Sequence, residues 1–270
     1  MAGERFEVTN GSVTLVGERW EGEGTPVVLL HAGVADRRSW RGVAERLTAP
    51  AIAYDRRGFG RTPPSSEPFT HVDDLVAVLD ATVDGRAWLV GNSMGGALAL
   101  DAALSVPERV AGLVLIAPAV NGQPEPEELD PDTMRIVGPL QAAGEAGDVD
   151  EQLRLHAWLW LDGPAGPEGR VGGSARGLAL EMNERIVRNA APEDAGEGDV
   201  DAWSRLEEIR VPTTVMWGDR DVPFGIETCR AVAARVPGAR THVLPDTAHL
   251  PSLEQPGELA AAIQASTSGR

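Results

Sequence analysis

Lysine is missing altogether from this chain of 270 residues, so all 24 basic side chains are arginines. Cysteine occurs once, at Cys229. A single thiol forms no internal disulfide, so nothing points to an oxidising compartment, and Cys229 reads as a packing residue. No apolar run approaches the roughly 20 residues needed to cross a bilayer. The longest such stretches, Val110 to Val120 among them, have the length of strands. The segment Met1 to Gly17 shows no cationic stretch followed by an apolar core, so no signal peptide is read and a cytoplasmic location is expected. Positive charge is scarce: 41 acidic residues against the 24 arginines leave a net charge of −17. That balance excludes nucleic acid as a partner, because a phosphate-binding face needs a basic stripe.

What is present is an ordinary globular composition, 42% hydrophobic and 24% charged, enough for a sizeable core without staples. Val13 to Trp20 alternates and reads as an antiparallel strand. Pro26 to Leu30, Ala51 to Tyr54, Ala87 to Val90 and Leu113 to Ile116 are continuous apolar runs, as strands buried on both faces are. Helical spacing fills Val72 to Val83 and Gly95 to Ser105. This alternation predicts an α/β fold with a mostly parallel sheet flanked by helices. From Asn121 to about Arg205 the chain turns acidic and rich in glycine and proline, with helices expected at Asp148 to Leu161 and Ser174 to Asn189. The strand pattern resumes at Thr213 to Trp217, followed by a helix at Ile226 to Val236, a last strand at Thr241 to Leu244 and a closing helix at Leu253 to Ala265. The expected organisation is a core of residues 1–120 and 206–270 interrupted by a helical insertion, 121–205.

One motif carries chemistry. Gly91-Asn-Ser-Met-Gly95 matches Gly-x-Ser-x-Gly, with an apolar strand leading in and a small-residue helix leading out. So tight a corner needs glycine flanks and lifts the serine hydroxyl clear of the sheet at a helix N-terminus, where developing negative charge is favoured. Ser93 is therefore the candidate nucleophile. A serine hydroxyl needs an adjacent base. Of five histidines, only His249 follows both the serine and a suitable acid on a strand-end loop. His242 sits within a strand, and His71 and His156 fall on helices. The acid is expected after the penultimate strand, where Trp217-Gly-Asp-Arg-Asp-Val-Pro223 offers two carboxylates. Asp221 is favoured because the turn needs two residues before swinging back over the sheet, with Asp219 the alternative. Two backbone N–H groups must hold the oxyanion of an acyl-transfer intermediate. Met94, next to the nucleophile, and Gly33, in the loop after the Pro26 to Leu30 strand, are the candidates. His31 in that loop reads as a bracing side chain.

Together these segments resemble the α/β-hydrolase superfamily over most of the chain outside the insertion. His31-Ala-Gly33 with Ser39-Trp40 is similar to its oxyanion segment, with Ala32 where glycine is usual. Tyr54-Asp-Arg-Arg-Gly-Phe-Gly60 resembles the turn after its fourth strand, Gly218-Asp-Arg-Asp-Val-Pro223 its acid loop, and Ala248-His-Leu-Pro-Ser-Leu-Glu-Gln-Pro256 its histidine loop. The resemblance implies a serine hydrolase using Ser93, Asp221, His249 and the N–H groups of Gly33 and Met94, with the insertion as the family's variable cap. It implies no cofactor and no metal, and a small-molecule substrate. Cleavage of carboxylic esters is the leading expectation. Carbon–carbon hydrolysis is the alternative, because Gly91-Asn-Ser-Met-Gly-Gly96 resembles the elbow of the meta-cleavage-product enzymes, although the tryptophan those carry after the histidine is Leu250 here. A ligand receptor on a retained hydrolase scaffold is the non-enzymatic alternative. Epoxide hydrolases and haloalkane dehalogenases share the fold but use an aspartate nucleophile. In the insertion, Trp158 and Trp160 lie two apart on a helix, so at most one is expected to reach the pocket, and packing within the insertion is the favoured role. Glu181, Glu184, Glu193 and Asp194 read as a solvated acidic face.

Overall fold

The computed structural model describes residues 3–65, 67–189 and 200–268. Eight strands form one sheet: β1 (Glu4–Asn10), β2 (Val13–Trp20), β3 (Val27–Leu30), β4 (Ala51–Tyr54), β5 (Ala87–Asn92), β6 (Val110–Ile116), β7 (Thr213–Gly218) and β8 (Arg240–Leu244). Their spatial order is β1-β2-β4-β3-β5-β6-β7-β8. β2 pairs antiparallel with both β1 and β4, and every later pair is parallel. The helices are α1 (Arg41–Ala44), α2 (His71–Thr82), α3 (Met94–Ser105), α4 (Pro131–Ala146), α5 (Val149–Ala157), α6 (Gly173–Arg188), α7 (Pro223–Arg235), α8 (Pro251–Glu254) and α9 (Pro256–Thr267).

The continuous apolar runs do what such runs must when both faces are covered. In β3, Val28 and Leu30 join one layer with Leu75 of α2, Leu98 and Leu100 of α3 and Val232 of α7. Val27 and Leu29 point the other way, toward Trp40, Val43 of α1 and Leu259 and Ile263 of α9. Each fully buried side chain of this size contributes about 1.5–3 kcal/mol. Cys229 is buried in the first layer, and burial pushes its thiol up, away from the reactive thiolate. His242 lies exposed on β8.

Two elements appear where no pattern announced them. β1 is charged and only partly buried, Phe6, Val8 and Asn10 being its inward positions, and it exists by pairing along the whole of β2. α4 contains Gly138, Pro139 and Gly144, all helix-weakening, yet its ends are well specified. The Asp130 carboxylate caps the first turn by accepting from the N–H groups of Asp132 and Thr133, and Gly147 closes the last turn at φ 67°. The closing helix is broken at Gln255, because Pro256 cannot donate to the preceding turn.

Between β6 and β7, α4 to α6 stack over the carboxyl edge of the sheet. Ile136, Leu155 and Leu159 pack with Val222. Leu161, Ala179 and Met182 pack on Ala32, Ala35 and Leu250. This segment therefore rests on the loops that follow β3, β7 and β8. Glu181 is exposed and pairs with Arg38, and Glu184 pairs with Arg188. Glu193 and Asp194 lie outside the described residues.

Candidate active site

β5 passes into α3 through one residue, Ser93, held at φ 54° and ψ −119°. Such backbone geometry costs a residue with a side chain about 1–3 kcal/mol and persists only where its surroundings impose it. Here its N–H donates to the Ile116 carbonyl (3.0 Å), and its carbonyl accepts from Gly96 (2.7 Å), Ala97 (3.1 Å) and Ala119 (3.1 Å). The flanking glycines are required by space: a Cβ at Gly91 would overlap the Gly95 carbonyl, and one at Gly95 would overlap the Leu30 carbonyl. The hydroxyl itself has no hydrogen-bond partner among the described residues and opens on a cavity that it shares with His249.

His249 follows β8 in a loop closed by α8. Its Nδ1 lies 2.9 and 3.1 Å from the two carboxylate oxygens of Asp221, and both side chains are buried. The Asp221 carboxylate also accepts from the Val222 N–H at 2.7 Å. With Nδ1 engaged, Nε2 is the nitrogen left for proton transfer. Asp219, the other carboxylate of the turn, is exposed, and its side chain bonds to none of the described residues. The structure thus joins Asp221, and not Asp219, to His249.

The loop after β3 brings Gly33 against Met94, so closely that a Cβ on Gly33 would overlap the Met94 sulfur. The Gly33 N–H has no acceptor among the described residues. The Met94 N–H stands at the first position of α3, where no intrahelical acceptor exists. His31 braces this loop from behind. Its Nε2 accepts from the Arg56 N–H (3.1 Å) and its Nδ1 donates to the Ala32 carbonyl (2.8 Å). Burial, with Arg56 adding to it, pushes the His31 pKa well down, so the ring is neutral. Nearby, the buried Asp55 carboxylate accepts from the Arg37 N–H (3.0 Å) and from the Arg61 N–H (2.8 Å). Desolvation nevertheless raises its pKa to about 6.

Two residues that the sequence named without assigning them a contact with His249 lie against it. Asn92 donates from Nδ2 to both the Ile116 and His249 carbonyls, each at 3.1 Å. Trp160 places its ring centroid 4.6 Å from that of His249 at a 45° tilt, and its carbonyl accepts the His249 N–H at 3.2 Å. Trp158 turns elsewhere, donating its indole N–H to the Gly166 carbonyl at 3.0 Å. That division agrees with the two-residue spacing, while Trp160, expected to serve packing, lines the cavity.

The shared cavity measures about 320 Å³ and is walled by Val120, Leu129, Val137, Leu159, Trp160, Val222 and Phe224, with Ser93 and His249 on its floor. Glu125 is its one charged wall residue among the described residues, and neither arginine nor lysine lines it. No group of three histidine, cysteine, aspartate or glutamate side chains among the described residues is arranged to hold a metal ion. No described helix is long and apolar enough to cross a membrane.

A mostly parallel eight-stranded sheet with a strained serine at the β5–α3 corner and a histidine–aspartate pair across the sheet edge is the architecture of a hydrolase. The profile of the alpha/beta hydrolase family matches residues 27–262, and the chain is an enzyme of that family. It is 27% identical to a 2-hydroxy-6-oxo-6-phenylhexa-2,4-dienoate hydrolase of Burkholderia cepacia, over 84% of this chain and 82% of the relative. It is 28% identical to the rhodomycin D methylesterase DauP of a Streptomyces species (strain C5), over 96% and 97%. Among solved structures, a thermophilic esterase from Thermogutta terrifontis superposes with a TM-score of 0.73 at 25% identity, covering 97% of each chain.

Proposed function

We propose that the chain is a serine esterase that cleaves uncharged carboxylic esters through an acyl-enzyme on Ser93. His249 takes the Ser93 proton as the hydroxyl oxygen attacks the carbonyl carbon, and Asp221 fixes the tautomer and stabilises the imidazolium. The N–H groups of Gly33 and Met94 hold the tetrahedral oxyanion. The proton passes from His249 to the leaving alkoxide, which departs as the alcohol. Water, deprotonated by His249, then attacks the acyl-enzyme, and the acid leaves as the Ser93 oxygen takes that proton back from His249. The segment 121–205 serves as a cap whose apolar wall shapes the pocket.

The observation that carries the reading is His249, bonded to Asp221, facing the cavity that Ser93 also lines. The substrate's charge follows from the walls. A dienoate, as named for the Burkholderia relative, carries a carboxylate. Among the described residues of this cavity it would meet Glu125 and no arginine or lysine, and an unpaired carboxylate in an apolar site is strongly disfavoured. A methyl ester, as named for the Streptomyces relative, needs no such partner.

The test is a panel of neutral short-chain esters set against 2-hydroxy-6-oxo-dienoates at one enzyme concentration, with mass mapping of a fluorophosphonate adduct. Turnover of the esters with the adduct on Ser93 is expected. Cleavage of the dienoates in preference to the esters would overturn the ester assignment.

A further inference from the structure

The loop that carries His249 is held from outside itself, and the cap does much of the holding. Three consecutive N–H groups along it find acceptors beyond the loop. Those of Ala248 (3.0 Å) and Leu250 (3.3 Å) go to the Glu254 carboxylate, and that of His249 goes to the Trp160 carbonyl. Glu254 is buried, and burial raises its pKa, while the Ala248 N–H and Arg170 act in the opposite direction. Its ion-pair partner, Arg170, comes from the cap.

Local chain chemistry explains why the cap has acceptors to offer here. After α5 the helix widens into a single π-helical turn, Trp158–Asp162, and stops at Gly163, whose φ is 85°. Continuing as an α-helix would require an N–H from residue 164 for the Trp160 carbonyl, but residue 164 is proline. The end of this turn therefore presents the carbonyls of residues 160, 161 and 162 to partners outside the helix. His249 takes the first. Arg170 takes the other two, through Nη2 to Leu161 (2.8 Å) and Nε to Asp162 (2.7 Å). The same guanidinium also donates to the Asp246 carbonyl at 2.9 Å and to Glu254. It thus ties the end of the π turn to both sides of the histidine. Arg170 is in turn presented by a loop folded on the buried Asp162 carboxylate, which accepts from the N–H groups of Gly169 (2.8 Å) and Val171 (2.9 Å) and from Arg176 (2.9 Å). π turns recur where a helix serves a functional site. Here the consequence is a direct join between cap and base.

We propose that Arg170 and Glu254 are positioning residues for His249, a clamp through which the cap sets the orientation of the general base. The proposal rests on His249 acting as that base. Without Arg170, the buried Glu254 loses its counter-charge, two N–H groups of the loop lose a firm acceptor, and the 160–162 carbonyls lose their tie. The imidazole then samples poses outside reach of Ser93, and a misplacement of about 1 Å in a catalytic group can cost as much as 100-fold in rate. Neither Arg170 nor Glu254 lines the cavity itself.

The experiment compares the full chain with Arg170→Ala, Arg170→Lys, Glu254→Gln and, as a control in the same segment, Arg154→Ala. Among the described residues Arg154 pairs with the glutamates Glu151 and Glu168 alone. The readouts are kcat and KM on one neutral ester and the downfield NMR resonance of the imidazole Nδ1–H bonded to Asp221. Arg170→Ala is expected to lower kcat on the order of tenfold with KM unchanged, and to broaden the resonance. Glu254→Gln should do the same to a smaller degree, Arg170→Lys should restore part of kcat, and Arg154→Ala should match the parent. A sharp parental resonance with parental kcat in both Arg170→Ala and Glu254→Gln would overturn the clamp, as would a change confined to KM. Should Arg170→Ala fail to fold, Arg170→Lys and Glu254→Gln decide alone, because both preserve most of the packing. The resonance reports the imidazole whatever bond the enzyme cleaves, so failure of the ester assignment and failure of the clamp are separable.

Discussion

The turns at the carboxyl edge of the sheet and the segment between β6 and β7 enclose one cavity from two sides, and they do so by different means. The sheet side is built of backbone. Ser93, Ala117 and Asp246, all non-glycine, are held at φ 54°, 41° and 52°; neighbouring carbonyls and N–H groups fix the first two, and the Asp246 carbonyl accepts from Arg170. The cap side is built of side chains, with Leu159, Val137 and Trp160 forming walls on amphipathic helices whose outer faces are solvated. A backbone-defined site tolerates little change and keeps its geometry through substitution around it. A side-chain wall is adjusted one residue at a time. On the proposed mechanism the difference assigns the chemistry to the first region and the choice of substrate to the second, with Arg170 and Trp160 joining the two.

The largest test of that division is on the sheet side. Asp221→Asn is expected to reduce kcat on neutral esters by roughly 10⁴-fold, because the amide favours the wrong tautomer of His249. Asp219→Asn should leave kcat within about twofold, as expected for a surface change. Steady-state kinetics on the two purified variants measures both, and equal losses would erase the distinction between the two carboxylates. On the cap side, Val137→Phe is expected to lower kcat/KM for long acyl or aryl esters by about 10–100-fold while sparing acetate esters, since a filled pocket costs about 1–3 kcal/mol only for the substrate that needs the space. A chain-length series reads this directly. Uniform loss across the series would mean that Val137 supports the catalytic turns as well.

A smaller effect is expected beneath the site. Asp101 on α3 donates nothing and receives one hydrogen bond, from Asn121 Nδ2 at 2.6 Å, at the start of the cap. Its second carboxylate oxygen is buried without a partner. Desolvation raises its pKa to about 6. A carboxyl raised on folding binds more protons in the native state than in the unfolded one. Its charged form therefore weakens the fold as pH rises from about 4 through about 6. Asp101→Asn should stabilise the protein at pH 8 by about 1–2 kcal/mol, and the gain should vanish toward pH 4. Thermal melts at the two pH values measure it. A gain independent of pH would show that charge is not its cause.

Much of this molecule could be read from residues in a line. β3 to β7 were legible because strands covered on both faces need unbroken apolar runs, as in Val27-Val-Leu-Leu30. The serine corner was legible because its tight turn admits only small neighbours at Gly91 and Gly95. β1 was not, since an edge strand facing water on one side carries charges such as Glu4 and Glu7 and exists only through β2. α4 was obscured by Gly138, Pro139 and Gly144, whose cost is offset by packing of Ile136 against Leu155 and Leu159, a tertiary gain that no local propensity records.

By itself, then, the order of residues determined the layered sheet and the tight corner at Ser93, because each depends on patterns within a few neighbouring positions. Which aspartate meets His249, which tryptophan lies against it and what holds its loop were decided only in three dimensions. Arg170 and Glu254 are 84 positions apart, Asn92 and His249 are 157 apart, and neither separation leaves a local trace. Contacts of that kind are set by how the cap comes to rest on the sheet, and the charge of the pocket follows from the same event.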